Sequence, residues 1–476
     1  MNTNAETLTF NYKPGPAASR PKNEQTFATA EAVTEQRDWG YVGLFAFTLV
    51  LLLRPQDRVP ALTSIHIAEI CAFLGIGPML MHRFARRLPV FRVTPETMGL
   101  LLFGAAILIT APFSIWPSGA LQVFTDNYVK IMIVFVLMMN TLTTTARLER
   151  LMTLILLCIG FIAALGVMNY ATGENLVEGG RLAGAVGGIF GNPNDLALNM
   201  VTFLPAVIVI ALSSRQSFVK RGIAAGISVL MFATIVFTKS RGGLLGMLAA
   251  VAVLLVMARG RMQRVLAVIA IVGAVVVTPL LPASFWDRMN TIVDEAGDKQ
   301  FTGSREARQL VMTDGINTFL EFPATGVGAG QFKNYNPPER QARWLETHNV
   351  LIQVAAETGI FGLIAFVFLV IRAFMAARAT RRLTRDRNWI SAMRQAHKED
   401  IAQALSEHTL GLTAGLVGWF VCALFASVAY NWTFYYVLAL LVAGRQLAVD
   451  QVRAAVPVKL KKMSVRTPAL STQTAI

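Results

Sequence analysis

Twelve stretches of this chain are apolar over about the length that crosses a bilayer, and that leaves little room for any other architecture. A spanning helix needs roughly 20 mostly apolar residues. The stretches fall near 39–53, 61–81, 96–113, 120–141, 150–171, 194–212, 222–237, 242–258, 264–281, 348–371, 408–428 and 430–448. Hydrocarbon offers backbone N–H and C=O groups no partner, so each stretch must satisfy them internally as a helix. The expected fold class is all-α: a polytopic membrane protein of about 12 transmembrane helices. Composition agrees, with 54% hydrophobic and 15% charged residues, against a charged share of about 25% in soluble domains.

Lysine and arginine set the sidedness, because they concentrate in the short loops on the inner side of a membrane. With the amino terminus inside, 30 of the 43 fall on inside segments and 12 outside, 7 of those in one long loop. An even number of spans then returns the carboxyl terminus to the same side. The net charge of +15 is thus a matter of topology, not of nucleic-acid binding. Residues 1–38 form a polar tail with no basic-then-apolar leader, expected to be disordered. Spans one to nine occupy 39–281. An outside loop at 282–347 follows, then spans ten to twelve over 348–448, and a basic tail over 449–476. The charged stretch near 385–407, with Trp389, Ile390, Met393 and Ile401 at helical spacing, predicts an amphipathic helix at the inner surface. Cys71, Cys158 and Cys422 each sit in an apolar run, which excludes a disulfide framework.

Two outside segments are more than connectors. One, from Thr172 to Pro193, is glycine-rich. The other, 282–347, predicts two short helices, the first capped by Ser304 and the second opened by Pro337 and Pro338. It reads Gly303-Ser304-Arg305, Phe322-Pro323, Gly326-Val327-Gly328-Ala329-Gly330-Gln331-Phe332, Thr347-His348-Asn349, then Glu357-Thr358-Gly359. Upstream lie Thr238-Lys239-Ser240-Arg241-Gly242-Gly243, and Arg181 followed by Gly191-Asn192-Pro193-Asn194. In this order and on one membrane side, these elements resemble the O-antigen ligase and polymerase superfamily, the Wzy-C type membrane glycosyltransferases. The resemblance covers roughly 180–365. Arg54-Pro55-Gln56-Asp57 also resembles a segment of some exopolysaccharide members.

That resemblance implies a metal-independent, GT-C-like enzyme in a bacterial inner membrane, with both termini cytoplasmic and the long loop periplasmic. The donor is a glycan on undecaprenyl diphosphate. The acceptor is a hydroxyl of lipid A-core, of another glycan or of a protein. A chain-length regulator is a further partner. No cofactor is implied, and no acidic pair looks like a metal site.

The residue types suit this chemistry. A departing diphosphate gathers negative charge, and arginine is permanently cationic and grips phosphate oxygens bidentately. Arg241 and Arg305 are the first candidates and Arg181 the third. The acceptor must lose a proton, and His348 titrates in the right range for a general base. Asn194, Gly328, Gly330, Asn349 and Glu357 are candidates for substrate binding. Plainer roles stand beside each. An arginine at a membrane edge anchors headgroups, Asn194 caps a helix, glycines turn the chain, His348 satisfies a loop carbonyl, and Glu357 pairs with a loop arginine. A second class, a transporter or flippase for the same lipid, suits twelve spans and basic cavities. No internal repeat supports it, and no phosphate-binding loop of an ATP-driven pump is present.

Overall fold

Polar caps close the apolar runs into helices. Asp38, Thr94, Thr144, Ser217 and Ser240 each accept a first-turn N–H at a helix start. A computed structural model describes residues 38–455 apart from 58, 60–61, 63–64, 66, 90–92, 178, 282, 284, 287–301 and 338–345. Both tails, 1–37 and 456–476, and the expected second loop helix after Pro337 therefore lie outside the described residues.

In chain order the helices are α1 (Trp39–Leu53), α2 (Ile67–Ala85), α3 (Pro95–Thr110), α4 (Pro117–Val123), α5 (Val129–Thr141), α6 (Thr145–Thr172), α7 (Pro193–Leu212) and α8 (Phe218–Phe237). They continue as α9 (Arg241–Met257), α10 (Gly260–Val277), α11 (Thr302–Glu321), α12 (Val350–Arg385), α13 (Arg387–Gln395), α14 (Glu399–Ala423) and α15 (Trp432–Ala455). A two-residue hairpin pairs β1 (Leu176–Val177) with β2 (Arg181–Leu182). Among the described residues eight helical segments are long and apolar enough to cross a membrane. The remaining expected stretches are helical too, as α1, α9, α10 and α14. Phe73, Ile109, Val229, Val275 and Ile364 stand exposed along the bundle. Such large outward apolar side chains fit a multi-pass membrane protein whose flanks meet lipid.

Close backbone approach binds α14 to its neighbours. A Cβ at Gly411 would lie 2.6 Å from the Ala206 Cα, and one at Gly246 would lie 2.8 Å from the Gly418 carbonyl oxygen. Small residues permit this contact where lipid supplies no hydrophobic drive between helices. Trp419 and Phe434 stack at 4.7 Å in the same core.

Two expectations need correction. The first loop helix starts earlier than Ser304, at Thr302, and runs 20 residues. The charged stretch near 385–407 is not one surface helix: α12 runs through Arg385, α13 is only Arg387–Gln395, and Glu399 onward belongs to α14. Lys130, within α5, pairs with Glu69 of α2 at 2.6 Å.

The two ends of the bundle differ in chemistry. At one end Glu96, fully buried, holds Arg372 at 2.7 Å and Arg445 at 2.9 Å, tying α3, α12 and α15 together. A buried carboxylate needs such partners to remain charged. Arg147–Asp38 and Arg215–Glu149 lie at this end as well. The opposite end gathers the loops after α1, α3, α6, α8, α11 and α14, and the candidate site is built there.

Candidate functional site

The site begins with a break in a helix. Within α12 the backbone at Gly359 leaves the helical region, with φ 63° and ψ −165°. Carbonyls just before it lose their helical donors, and in a membrane such groups cannot stay unpaired. The loop after α11 supplies the donors. Val327 N–H donates to the Ala356 carbonyl at 2.9 Å, and Gly328 N–H to the Glu357 carbonyl at 2.9 Å. In return Ile360 N–H donates to the Pro323 carbonyl at 2.8 Å. The loop fits because Gly326, Gly328 and Gly330 all take positive φ, at 63°, 105° and 71°, a region only glycine enters freely. Val327 is fixed from the other side, its carbonyl accepting from Ile115 N–H at 3.2 Å and Ser114 Oγ at 2.8 Å.

This docking seats Glu357. The residue is buried, and its Oε2 accepts the Gly330 N–H at 2.9 Å. Among the described residues its donor is loop backbone; the side chains of the loop arginines, at 288, 305, 308, 340 and 343, lie outside the described residues. Both residues line a cavity of about 380 Å³, together with Arg54, Lys333, Thr347 and Tyr430.

Arg54 enters the cavity wall through a clasp. Its Nε donates to Asp57 Oδ2 at 2.8 Å, and the same oxygen accepts the Gly187 N–H at 3.0 Å. Partial burial works to raise the Asp57 carboxyl, but the Arg54 guanidinium and the Gly187 amide outweigh it and hold it below the ordinary carboxylate range. The clasp ties the loop after α1 to the glycine-rich segment after α6. Across the cavity, crowding by protein raises the Glu346 carboxyl, and Lys333 pulls it the other way.

His348 has φ 49°, an uncommon conformation for a non-glycine residue, and its N–H donates to Ser427 Oγ at 3.0 Å. It sits between Thr347, in the cavity wall, and Asn349, the cap of α12. Asn349 accepts from Leu351 N–H at 2.9 Å and Ile352 N–H at 3.1 Å, and its amide donates to the Leu424 carbonyl at 3.2 Å. Its side chain thus caps α12 and ties that cap to the end of α14, and it is not among the residues lining the cavity.

A second cluster assembles from three separate segments. Asn194 Oδ1 accepts from Arg181 Nη2 at 2.8 Å and from Ser240 Oγ at 3.0 Å. Arg181 Nε also donates to the Thr238 carbonyl at 3.1 Å. The cap of α7 is Asn192, so Asn194 is free to act as this hub. Arg241 opens α9 and lines a narrow crevice with Asn194, Ser240, Phe425 and Ala426. The turn over 425–431 separates this crevice from the larger cavity, with Ser427, Tyr430 and Asn431 on the far side. Arg305 stands in the first turn of α11; its side chain is outside the described residues.

Residues 226–367 match the family model described as O-Antigen ligase. The match bears out the superfamily resemblance. It spans Ser240-Arg241-Gly242, the docked loop, His348 and Glu357, and stops short of Arg181 and Asn194 on the amino-terminal side. No curated protein matches the chain.

Sequence reasoning passed over several residues of the cavity. Tyr430 and Asn431 had a usable signal, as polar residues interrupting two apolar runs. Lys333 had none, standing as one basic residue in a long polar loop. Ser114, which pins Val327, is likewise silent in sequence.

Proposed function

We propose that this chain transfers a glycan from undecaprenyl diphosphate to an acceptor hydroxyl on the periplasmic face of the inner membrane, as an O-antigen ligase or a surface-polysaccharide polymerase. The O-antigen ligase match supports an enzyme acting on a lipid-linked glycan. On this reading the chain has twelve spans in a GT-C-like arrangement, with both termini cytoplasmic.

One observation supports the reading: at one end of the bundle stand Arg54 in the cavity wall, Arg241 in the neighbouring crevice, Arg181 bonded to that crevice's Asn194, and His348 next to Thr347 of the cavity wall, all far apart in sequence. The arginines are suited to the diphosphate. As the bond from the sugar anomeric carbon to the phosphate oxygen breaks, charge builds on that oxygen, and cations already held in place stabilise it without reorganising. Arg241 and Arg305 take the leading part and Arg181 supports them through Asn194. The acceptor oxygen forms the new bond to the anomeric carbon, and His348 takes its proton. Gly330, Gly328 and Glu357 shape the wall that the sugars meet.

The test is transfer by the purified chain from undecaprenyl-diphosphate glycan, without nucleotide. Transfer reduced about 10²-fold or more in His348→Ala and in Arg241→Ala supports the enzyme. Movement of intact lipid-linked glycan between leaflets, unchanged in both variants, overturns it in favour of a transporter. Acceptor identity follows from which of lipid A-core, a glycan or a protein gains sugar in the cell envelope.

A further inference from the structure

A second basic cavity, of about 450 Å³, lies at the end of the bundle opposite the candidate site. Its position follows from three helices. Met257 ends α9 and Arg385 ends α12, both of which start at the site end, while the cavity meets α14 near its beginning. Arg259, Arg381 and Arg385 converge there, close enough to act on one another electrostatically. Three guanidiniums facing one space repel, so the arrangement wants an anion between them.

The local carboxylates do not supply it. Glu399 pairs with Arg394 at 3.0 Å, and Glu407 is taken by Ser213 at 2.7 Å and Gln403 at 2.8 Å. Among the described residues no carboxylate pairs with Arg259, Arg381 or Arg385. Arg385 is anchored by a donation to the Met257 carbonyl at 2.6 Å, which aims its fork without neutralising it. Arg381 Nε is buried with no hydrogen-bond partner. A buried unpaired donor of this strength costs free energy, and an incoming oxygen anion removes that cost.

We propose that this cavity binds the phosphate of an anionic phospholipid. Tetrahedral phosphate oxygens suit arginine forks. The rest of the lining decides for lipid over a soluble anion: Met257, Met262, Trp389 and Ile390 give the cavity an apolar side. Trp389 is buried beneath α13, while Ile390 beside it is exposed, the pattern of a helix lying where headgroup meets chain. The lipid thereby braces α13 against α12 and α14 on the face away from the proposed chemistry. The inference does not depend on the transferase reading.

The purified full chain is examined by native mass spectrometry after titration with phosphatidylglycerol, phosphatidylcholine or inorganic phosphate. Wild type holds one phosphatidylglycerol about tenfold more tightly than phosphatidylcholine, and the paired substitution Arg381→Gln with Arg385→Gln abolishes that preference. Arg378→Gln, on the exposed side of the same helix, retains it. If the paired variant fails to fold, Arg259→Gln, on an exposed loop, carries the test and weakens the preference several-fold. Equal binding of the two lipids, or a preference untouched by these substitutions, overturns the proposal. Displacement of phosphatidylglycerol by millimolar inorganic phosphate assigns the cavity to a soluble phosphate and overturns the lipid.

Discussion

The Glu357 carboxylate receives the Gly330 N–H at 2.9 Å in the wall of the cavity that both residues line. The bond joins a broken spanning helix to the loop docked on it, so one side chain reports on both. Glu357→Gln keeps the shape and removes the charge. A hydrogen bond to a charged group is worth about 1.5–3 kcal/mol, and the variant should lose about that much at most. Transfer should fall more steeply, by about tenfold or more, because the loop wall shifts. Thermal unfolding and initial transfer rates on the same sample check both halves. Unchanged rates with lowered stability would reduce Glu357 to a structural brace.

Gly359 is the hinge of that junction. Its φ of 63° with ψ of −165° belongs to a region that is essentially glycine-only. An added Cβ would also collide with the Ala324 carbonyl oxygen. Gly359→Ala should cost about 1–3 kcal/mol from the backbone alone. It should also free the loop from Pro323 to Gly330. Limited proteolysis reads the release directly: the loop should be cut faster in the variant. Equal cutting would mean that the break is held by something other than glycine.

The break itself was not legible in sequence, and the reason is physical. Glycine inside an apolar run is tolerated in a helix at modest cost, so Gly359 reads as an ordinary spanning residue. What bends the chain is the partner loop, whose donors replace the lost helical bonds. The spans were legible because 20 apolar residues in a row have one solution in hydrocarbon. Ion pairs were not: Glu96 finds Arg372 and Arg445 across 276 and 349 residues, with no local signal. The site stands between these cases. Arg181, Asn194 and Ser240 stood out as motif residues, but Asn194 as the acceptor joining the other two is a fact of three-dimensional packing.

That hub gives a third prediction. Arg181 makes two directed bonds, to Asn194 and to the Thr238 carbonyl, through two different nitrogens. Lysine carries the charge but offers no fork. Arg181→Lys should therefore disturb Ser240 and the start of α9, lowering transfer by about tenfold with little change in net charge. Asn194→Leu, which removes the acceptor, should produce the same defect. The double variant should be no worse than about the more severe single, since both break one unit. Additive losses would show that Arg181 acts on the substrate independently of Asn194.

The clasp of Arg54, Asp57 and Gly187 predicts a pH dependence whose sign is set by the lowered Asp57 carboxyl. In the unfolded chain Asp57 titrates near its ordinary 3.8, and in the folded chain below it. Its contribution to stability is therefore fully present above the ordinary value. It is lost as pH falls through the lower, folded one. Asp57→Asn removes this titration and keeps the size of the side chain. The difference in unfolding midpoint between wild type and Asp57→Asn should be constant near neutrality and shrink as pH drops below about 4. The variant should also transfer more slowly at neutral pH, because Arg54 loses the anion that aims it across the cavity from Glu346 and Lys333. A stability difference that stays level down to the lowest pH at which the protein folds would mean that the clasp is not held by charge.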